Sequence, residues 1–314
     1  MPAISAYAPG KIILFGEHAV VYGRPAIAVP VDEVRARATV KAEPRLAPGT
    51  VMIQAPQIDL ESPLQALPPD QPLAKAVRCV ISTLGIPQPP ACTLKITSTI
   101  PVASGLGSGA AVAVATIRAF SSFLGHPLDD AQISGLAFEV EKLHHGTPSG
   151  IDNTVISYHM PVYFVRGEPI ETFRVTQPFT IVIGDTGLPS PTSASVGDVR
   201  RLWEKQREHY EALFDSAGAI ADAARQSIEL GIVESLGPLM DANQGVLRKM
   251  GVSCPELERL IYAARTAGAL GAKLSGGGRG GNMIALVQPG KAEAVAAAIK
   301  EAGATRTIVT HIKG

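Results

Sequence analysis

The sequence predicts an α+β protein of two domains, and three observations carry that prediction. The first third alternates short β-rich runs with Gly/Pro breaks. Helical periodicity then dominates from Ser108 to His145, and the remainder sets strand-like runs beside helices around a second glycine-rich stretch. A chain of 314 residues is long enough for two ordinary domains with buried cores.

Taken in order, KIILFG, AIAVPV, VRARATVKAE, VMIQA and CTLKITSTI read as strands, separated by YGRP, RLAPG and GIPQPP, which suggests a mostly antiparallel sheet. Between the last two, PLAKAVRCVISTLG spaces Leu73, Ala76, Val77, Val80 and Ile81 as one helical face and stops at Gly85. From Ser108 to Leu124, SGAAVAVATIRAFSSFL carries one Arg among small and apolar residues, so a helix buried nearly all round is expected. The next helix, DDAQISGLAFEVEKLHH, opens on an Asp129-x-x-Gln132 cap and carries Glu141 near its carboxyl end.

A second region begins at FTIVIGD, residues 179–185, with helices expected over 195–213, 215–230 and 232–250. It continues as helix PELERLIYAARTAGALG, strands AKLS and MIALV about a glycine loop, helix KAEAVAAAIKEAG and strand TRTIVTHIK. The boundary is expected near residue 180, dividing the chain into 1–180 and 181–314.

Lys plus Arg and Asp plus Glu number 28 each, so net charge draws the chain neither to nucleic acid nor to an anionic membrane, and a small molecule is the expected partner. Cys79, Cys92 and Cys254 show no C-x-x-C spacing and read as reduced core thiols of a cytoplasmic protein. MPAISAYAPGK lacks a basic segment followed by an apolar run, and no uncharged apolar stretch approaches roughly 18 residues, so neither export nor a membrane span is expected.

The sharpest local pattern is Pro101-Val102-Ala103-Ser104-Gly105-Leu106-Gly107-Ser108-Gly109-Ala110-Ala111, between a strand and the buried helix. A glycine turn feeding a helix amino terminus presents free N–H groups and partial positive charge to an anion such as phosphate. A plain tight connection would leave the same pattern. The segment is no P-loop, since no Lys follows the glycines. It matches G-x-G-x-x-A at Gly105, Gly107 and Ala110, but Asp129 and Asp130 open a helix where a dinucleotide site wants an acid ending a second strand, so an oxidoreductase is a poor alternative.

A second cluster, Glu141-Lys142-Leu143-His144-His145-Gly146-Thr147-Pro148-Ser149-Gly150-Ile151-Asp152-Asn153, joins a helix end to a Gly/Pro-rich loop. Its carboxylates could divide the work, one holding Mg²⁺ on a nucleotide and the other accepting a hydroxyl proton, or serve as turn cap and solvated helix residue. The adjacent histidines cannot share a helix face, which argues against a metal site of their own. A third run, Lys273 to Asn282, holds five glycines in the six positions from Gly276 to Gly281. Ordering it costs backbone entropy, so either backbone approaches something closely or the run is a flexible hairpin. Ahead of the first strand, Lys11 could reach a phosphate or hydroxyl as a fixed cation.

In this order, APGKIILFGEHAVVYG, PVASGLGSGAA, GTPSGIDN and KLSGGGRGGN resemble the GHMP kinases, named for galactokinase, homoserine, mevalonate and phosphomevalonate kinases, and the resemblance runs from residue 7 to the end. GEHAVVYG, EKLHHGTPSGIDN and MDANQGVLRKMGVS resemble the branch acting on mevalonate. The resemblance implies an amino-terminal, ATP-binding domain like the second domain of ribosomal protein S5, a ferredoxin-like carboxyl-terminal domain, a homodimer, and transfer of the γ-phosphoryl of Mg·ATP to the 5-hydroxyl of mevalonate. Kinases of the same family acting on phosphomevalonate, the mevalonate 3-hydroxyl or a sugar stay open, as does a non-catalytic sensor with this fold.

By matched position, the resemblance implies Asp152 as general base and Lys11 as the cation that steadies developing charge. It implies Glu141 and Ser108 on Mg²⁺, and Glu17, His18, Ser149 and Thr192 on the substrate side with Lys11 and Asp152. Pro101, Ser104, Gly105, Leu106, Gly107, Ser108, Gly109 and Ala110 are implied to hold ATP, with Gly277 and Gly278 closing over it. Two positions depart from the family pattern. Gly109 stands where GLGSSAA has a second serine that contributes to Mg²⁺ coordination, and Arg279 stands among usually small residues, where it is expected to point to solvent rather than to a phosphate.

Overall fold

Residues 3–101, 105–145, 149–190 and 192–313 are described by a computed structural model, with the backbone alone described at 144, 145 and 193. In chain order these form β1 (Ala3–Phe15), β2 (Ala26–Ala42), β3 (Val51–Ala55), β4 (Leu60–Pro63), α1 (Pro72–Leu84), β5 (Cys92–Ser98), α2 (Ser108–Phe123), α3 (Asp130–His145) and α4 (Ile151–Tyr158). There follow β6 (Val162–Phe164), β7 (Glu171–Thr172), β8 (Phe179–Asp185), α5 (Thr192–Lys205), α6 (Arg207–Leu230), α7 (Leu236–Lys249), α8 (Pro255–Thr266), β9 (Gly271–Ser275), β10 (Asn282–Val287), α9 (Ala292–Glu301) and β11 (Arg306–Ile312).

The described residues pack as two compact units, the first drawn from 1–10, 34–102 and 107–159, the second from 11–33, 103–106 and 160–314. β1 and β2 each pass from one unit into the other, so the units interleave along the chain rather than meeting at one residue.

In the first unit, β5 pairs antiparallel with β2 from Ala36↔Ser98 to Ala42↔Cys92 and parallel with β3 from Val51↔Cys92 to Gln54↔Lys95. β4 closes on β3 as an antiparallel neighbour. Helices α1, α2, α3 and α4 pack on one another, and α2 also packs on β5. Ala111, Val114, Ala115, Ile117 and Phe120 of α2 are fully buried, because a helix of small residues lets its neighbours approach on nearly every side. Its Arg118 donates to Tyr7 O at 3.2 Å, to Asp130 Oδ1 at 2.9 Å and to Ser157 O, so this cation holds α2 to its neighbours.

In the second unit, the sheet runs β11-β8-β10-β9, antiparallel throughout. The path from β8 through helices to β9, β10, α9 and β11 is the split β-α-β arrangement of a ferredoxin-like domain. Val182, Ala272, Leu274, Met283 and Ala285 cover one face with Leu257, Leu260, Ile261, Ala264, Val295 and Ile299. Tyr22 joins this core by stacking on Phe214, with ring centroids 4.0 Å apart.

Three local expectations change. The two runs AIAVPV and VRARATVKAE form one strand, β2; Pro30 falls between the residues that pair with β6 and those that pair with β5, so neither ladder loses a bond to its missing N–H. The helices after β8 divide at Gln206, whose φ of −135° ends α5 and starts α6. Residues after Ser149, read as part of a loop, make helix α4 despite β-branched Ile151, Thr154, Val155 and Ile156. Gly150, at φ 90°, caps it, and Asn153 Nδ2 donates to Ser134 O at 3.1 Å and Ser134 Oγ at 2.8 Å, so packing on α3 overrides propensity.

Candidate active site

The glycine-rich turn, whose residues 103–106 belong to the second unit, leads at Gly107 into the amino terminus of α2 in the first. Gly105 and Gly107 adopt φ of 76° and 72°, the left-handed region that a side chain would strain, and Gly107 caps the helix without any side-chain hydrogen bond. The leading N–H groups of α2 therefore meet no capping side chain, the arrangement that receives an anion. Ser108 and Gly109 form its first turn, Ala110 is buried beneath, Pro101 is half-buried, and Ser104 lies outside the described residues.

Glu141 is buried on α3, and a Cβ added to Gly109 would lie 3.2 Å from its Oε1. The carboxylate thus rests against the first turn of α2, next in sequence to the Ser108 hydroxyl. Hard oxygen donors of this kind fit Mg²⁺ carried by a nucleotide, where phosphates and water complete the shell. Among the described residues no cluster of three His, Cys, Asp or Glu could hold a metal ion by protein ligands alone. Asp152 is half-buried in the first turn of α4, and Ser149 Oγ accepts from Ile151 N at 3.3 Å. Both sit at one helix start, while the side chains of His144 and His145 lie outside the described residues.

The second unit gathers the other candidates. Lys11 is buried on β1, and its N–H donates to Leu106 O at 3.0 Å, tying this strand to the end of the glycine-rich turn. Gly16, at φ 89°, turns the chain where a Cβ would collide with Pro25 O, and His18 follows at φ 61°. His18 Nε2 lies 3.0 Å from Gly277 O. Burial pushes the His18 pKa down to about 4, the carbonyl opposes that, and the charge of Arg279 adds to it. A neutral ring facing a carbonyl carries its hydrogen on Nε2, which leaves Nδ1 as a bare acceptor. Among the described residues Nδ1 meets no hydrogen-bond partner.

Glu17, expected to line the substrate side, has both carboxylate oxygens engaged by protein. Oε1 accepts from Lys273 Nζ and Oε2 accepts from Asn243 Nδ2 at 3.1 Å, with neither charged side chain accessible to solvent. The solvent-facing expectation for Arg279 is corrected. It pairs with Asp198 and donates to Gly251 O at 3.3 and 3.4 Å, while its backbone takes φ 57°. Neighbouring acid and carbonyl, rather than solvent, hold this guanidinium.

The third glycine run is no flexible hairpin, since Gly277 and Gly278 are buried. A Cβ on Gly277 would stand 2.8 Å from Thr192 Oγ1 and 3.1 Å from Ser190 Oγ, and one on Gly278 would collide with Val252 O. Ser190 Oγ also donates to Gly278 O at 3.0 Å. Close approach to the segment leading into α5 therefore requires these glycines, and it brings exposed Thr192 beside Gly277. Sequence reasoning missed Lys273 and Asn243; the available signal was a lysine inside an otherwise apolar strand.

The fold and these motifs define a phosphotransferase class. The GHMP kinases N terminal domain matches residues 72–160, and the GHMP kinases C terminal matches 219–305. The chain belongs to the GHMP kinase family. Its relatives include the mevalonate kinase of Pyrococcus abyssi (strain GE5 / Orsay), 41% identical over 97% of this chain and 94% of the relative. Among solved structures, L. major mevalonate kinase in complex with R-mevalonate superposes with a TM-score of 0.84 at 31% identity, covering 98% of this chain and 95% of that one. Methanococcus jannaschii mevalonate kinase, 24% identical, shares the fold with a TM-score of 0.86 over 99% and 98% of the two chains.

Proposed function

We propose that this chain is a mevalonate kinase, transferring the γ-phosphoryl of Mg·ATP to the 5-hydroxyl of (R)-mevalonate in isoprenoid precursor synthesis. Near-full-length likeness to mevalonate kinases carries this reading, and the presence of Lys11, Glu141 and Asp152 supports it. Asp152 takes the hydroxyl proton as the oxygen attacks the γ-phosphorus, the bond to the β–γ bridging oxygen breaks, and ADP leaves. Lys11 stabilises negative charge developing at the attacking oxygen. The first turn of α2 orients the phosphates through its N–H groups. Glu141 and Ser108 would hold Mg²⁺, which when bound neutralises phosphate charge.

Glu17 and His18 line the acceptor side with Ser149 and Thr192, and Gly277 and Gly278 flank the nucleotide. Family matches over 72–160 and 219–305 support an amino-terminal domain that holds ATP and a carboxyl-terminal domain, expected to divide near residue 180, although the compact units interleave over 11–33 and 103–106 and the second begins its long stretch at 160. Three unpaired cysteines support a cytoplasmic protein, and no helix among the described residues is long and apolar enough to cross a membrane. Homodimer assembly is supported by the family resemblance and is tested by light scattering. The central test is ATP-dependent phosphorylation of (R)-mevalonate with the product position read by NMR. No turnover with Mg²⁺ present overturns the reading, whereas a 3-phosphate, or preference for phosphomevalonate or a sugar, assigns the chain to another activity of the family.

A further inference from the structure

Lys273 is the largest fully buried polar side chain among the described residues, at the centre of a strand whose every residue is buried. Burying an ammonium and a carboxylate costs several kcal/mol of lost hydration per ion, and an apolar pair of similar volume would often serve stability as well or better. Burial lowers the Lys273 pKa, and Glu17 opposes that by charge and hydrogen bond. Core packing alone gives no reason for so costly a pair. Its surroundings supply one. Ser275 Oγ donates to Ile13 O at 2.7 Å, Lys273 Nζ binds Glu17 and also Leu274 O at 2.6 Å, and His18 Nε2 donates to Gly277 O at 3.0 Å. Three ties thus join the chain around the β1 end to β9 and its glycine loop.

We propose that Lys273 is a positioning residue for the phosphoryl acceptor, acting through Glu17 and His18. The Lys273–Glu17 pair fixes the turn in which His18 adopts a left-handed backbone, and that turn locks Nε2–H on Gly277 O. A locked tautomer leaves Nδ1 able to accept a hydrogen bond but unable to donate one, so its ligand is a donor such as an acceptor hydroxyl rather than a carboxylate. Asn243, on the other oxygen of Glu17, sets the carboxylate plane, and its neighbour Gln244 Oε1 accepts from Leu274 N at 2.9 Å, extending the brace to α7. The inference rests on the proposed function in taking His18 to face the acceptor.

Lys273→Met alone strands a buried carboxylate and can fail to fold, so the decisive variant is Lys273→Met with Glu17→Gln, which removes both charges and keeps an acceptor for Asn243. A purely structural pair predicts recovery of both Tm and kinetics in the double variant. Positioning predicts recovered Tm with KM for mevalonate raised at least ~10-fold and KM for ATP within about twofold of wild type. Asn243→Ala, which leaves the ion pair intact, is expected to raise the mevalonate KM severalfold. Wild-type mevalonate KM in both variants overturns the proposal. A substrate-free measurement separates this from failure of the proposed function: ¹⁵N-histidine NMR should show a slowly exchanging His18 Nε2–H in wild type that exchanges at least ~10-fold faster in the double variant. Equal exchange in the two proteins overturns the brace whatever the substrate proves to be.

Discussion

Gly109 and Glu141 are matched by space: a Cβ on the glycine would stand 3.2 Å from Glu141 Oε1, tighter than most real Cβ contacts. The glycine that removes a family hydroxyl is thus also what lets the carboxylate lie against the first turn of α2. Gly109→Ala should separate stability from activity. Alanine is the better helix former, by up to about 1 kcal/mol, so Tm should hold or rise. Displacing Glu141 should raise the Mg²⁺ concentration required for half-maximal rate severalfold. Metal titrations of the two proteins decide it, and an unchanged Mg²⁺ requirement would show that the Glu141 position does not matter.

Asp152→Asn keeps the size of the side chain and the start of α4 but removes the carboxylate proposed as the base. A rate loss on the order of 10²-fold or more is expected, with ATP binding within a few-fold of wild type by calorimetry. Near-normal turnover would remove Asp152 from the base role.

His18 makes stability pH-dependent in a definite window. Its folded pKa is about 4 against an ordinary value of 6.5. The unfolded chain therefore takes a proton first as pH falls below about 6.5, so stability is fully present above that pH and declines toward pH 4. Glu258 adds little there. Burial pushes its pKa up, but Arg248, Ser253 and Gln244 hold it at about 2, so its contribution is lost only as pH falls from 4.5 toward 2. Urea unfolding between pH 6.5 and 4.5 should show a shallower slope in His18→Gln than in wild type, by up to about one proton. Identical slopes would place the imidazole in an ordinary environment.

Arg279 offers a test of structure against phosphate contact. If its work is to hold Asp198 and Gly251 O, Arg279→Ala and Asp198→Asn should each lower Tm, and neither should change KM for ATP by more than about twofold. Arg279→Gly should lose less Tm than Arg279→Ala, since glycine tolerates φ 57° without a Cβ clash. A large rise in ATP KM confined to the Arg279 variants would assign the guanidinium to phosphate instead.

What local chemistry dictates could be read along the chain. Apolar spacing specified α1, α2 and α3, alternation and Gly/Pro breaks specified most strands, and the glycines before Ser108 specified a left-handed turn onto a helix start. Those patterns act over one or two turns of chain, so they are visible without the fold. Tertiary structure decided the partners. Lys273 and Glu17 lie 256 positions apart, His18 and Gly277 259 apart, and Arg279 and Asp198 81 apart, and no periodicity links such pairs. Burial then fixed their chemistry. Desolvation left His18 neutral, made Glu17 and Lys273 depend on one another, and turned a buried strand lysine from an anomaly into a brace for the turn that carries His18.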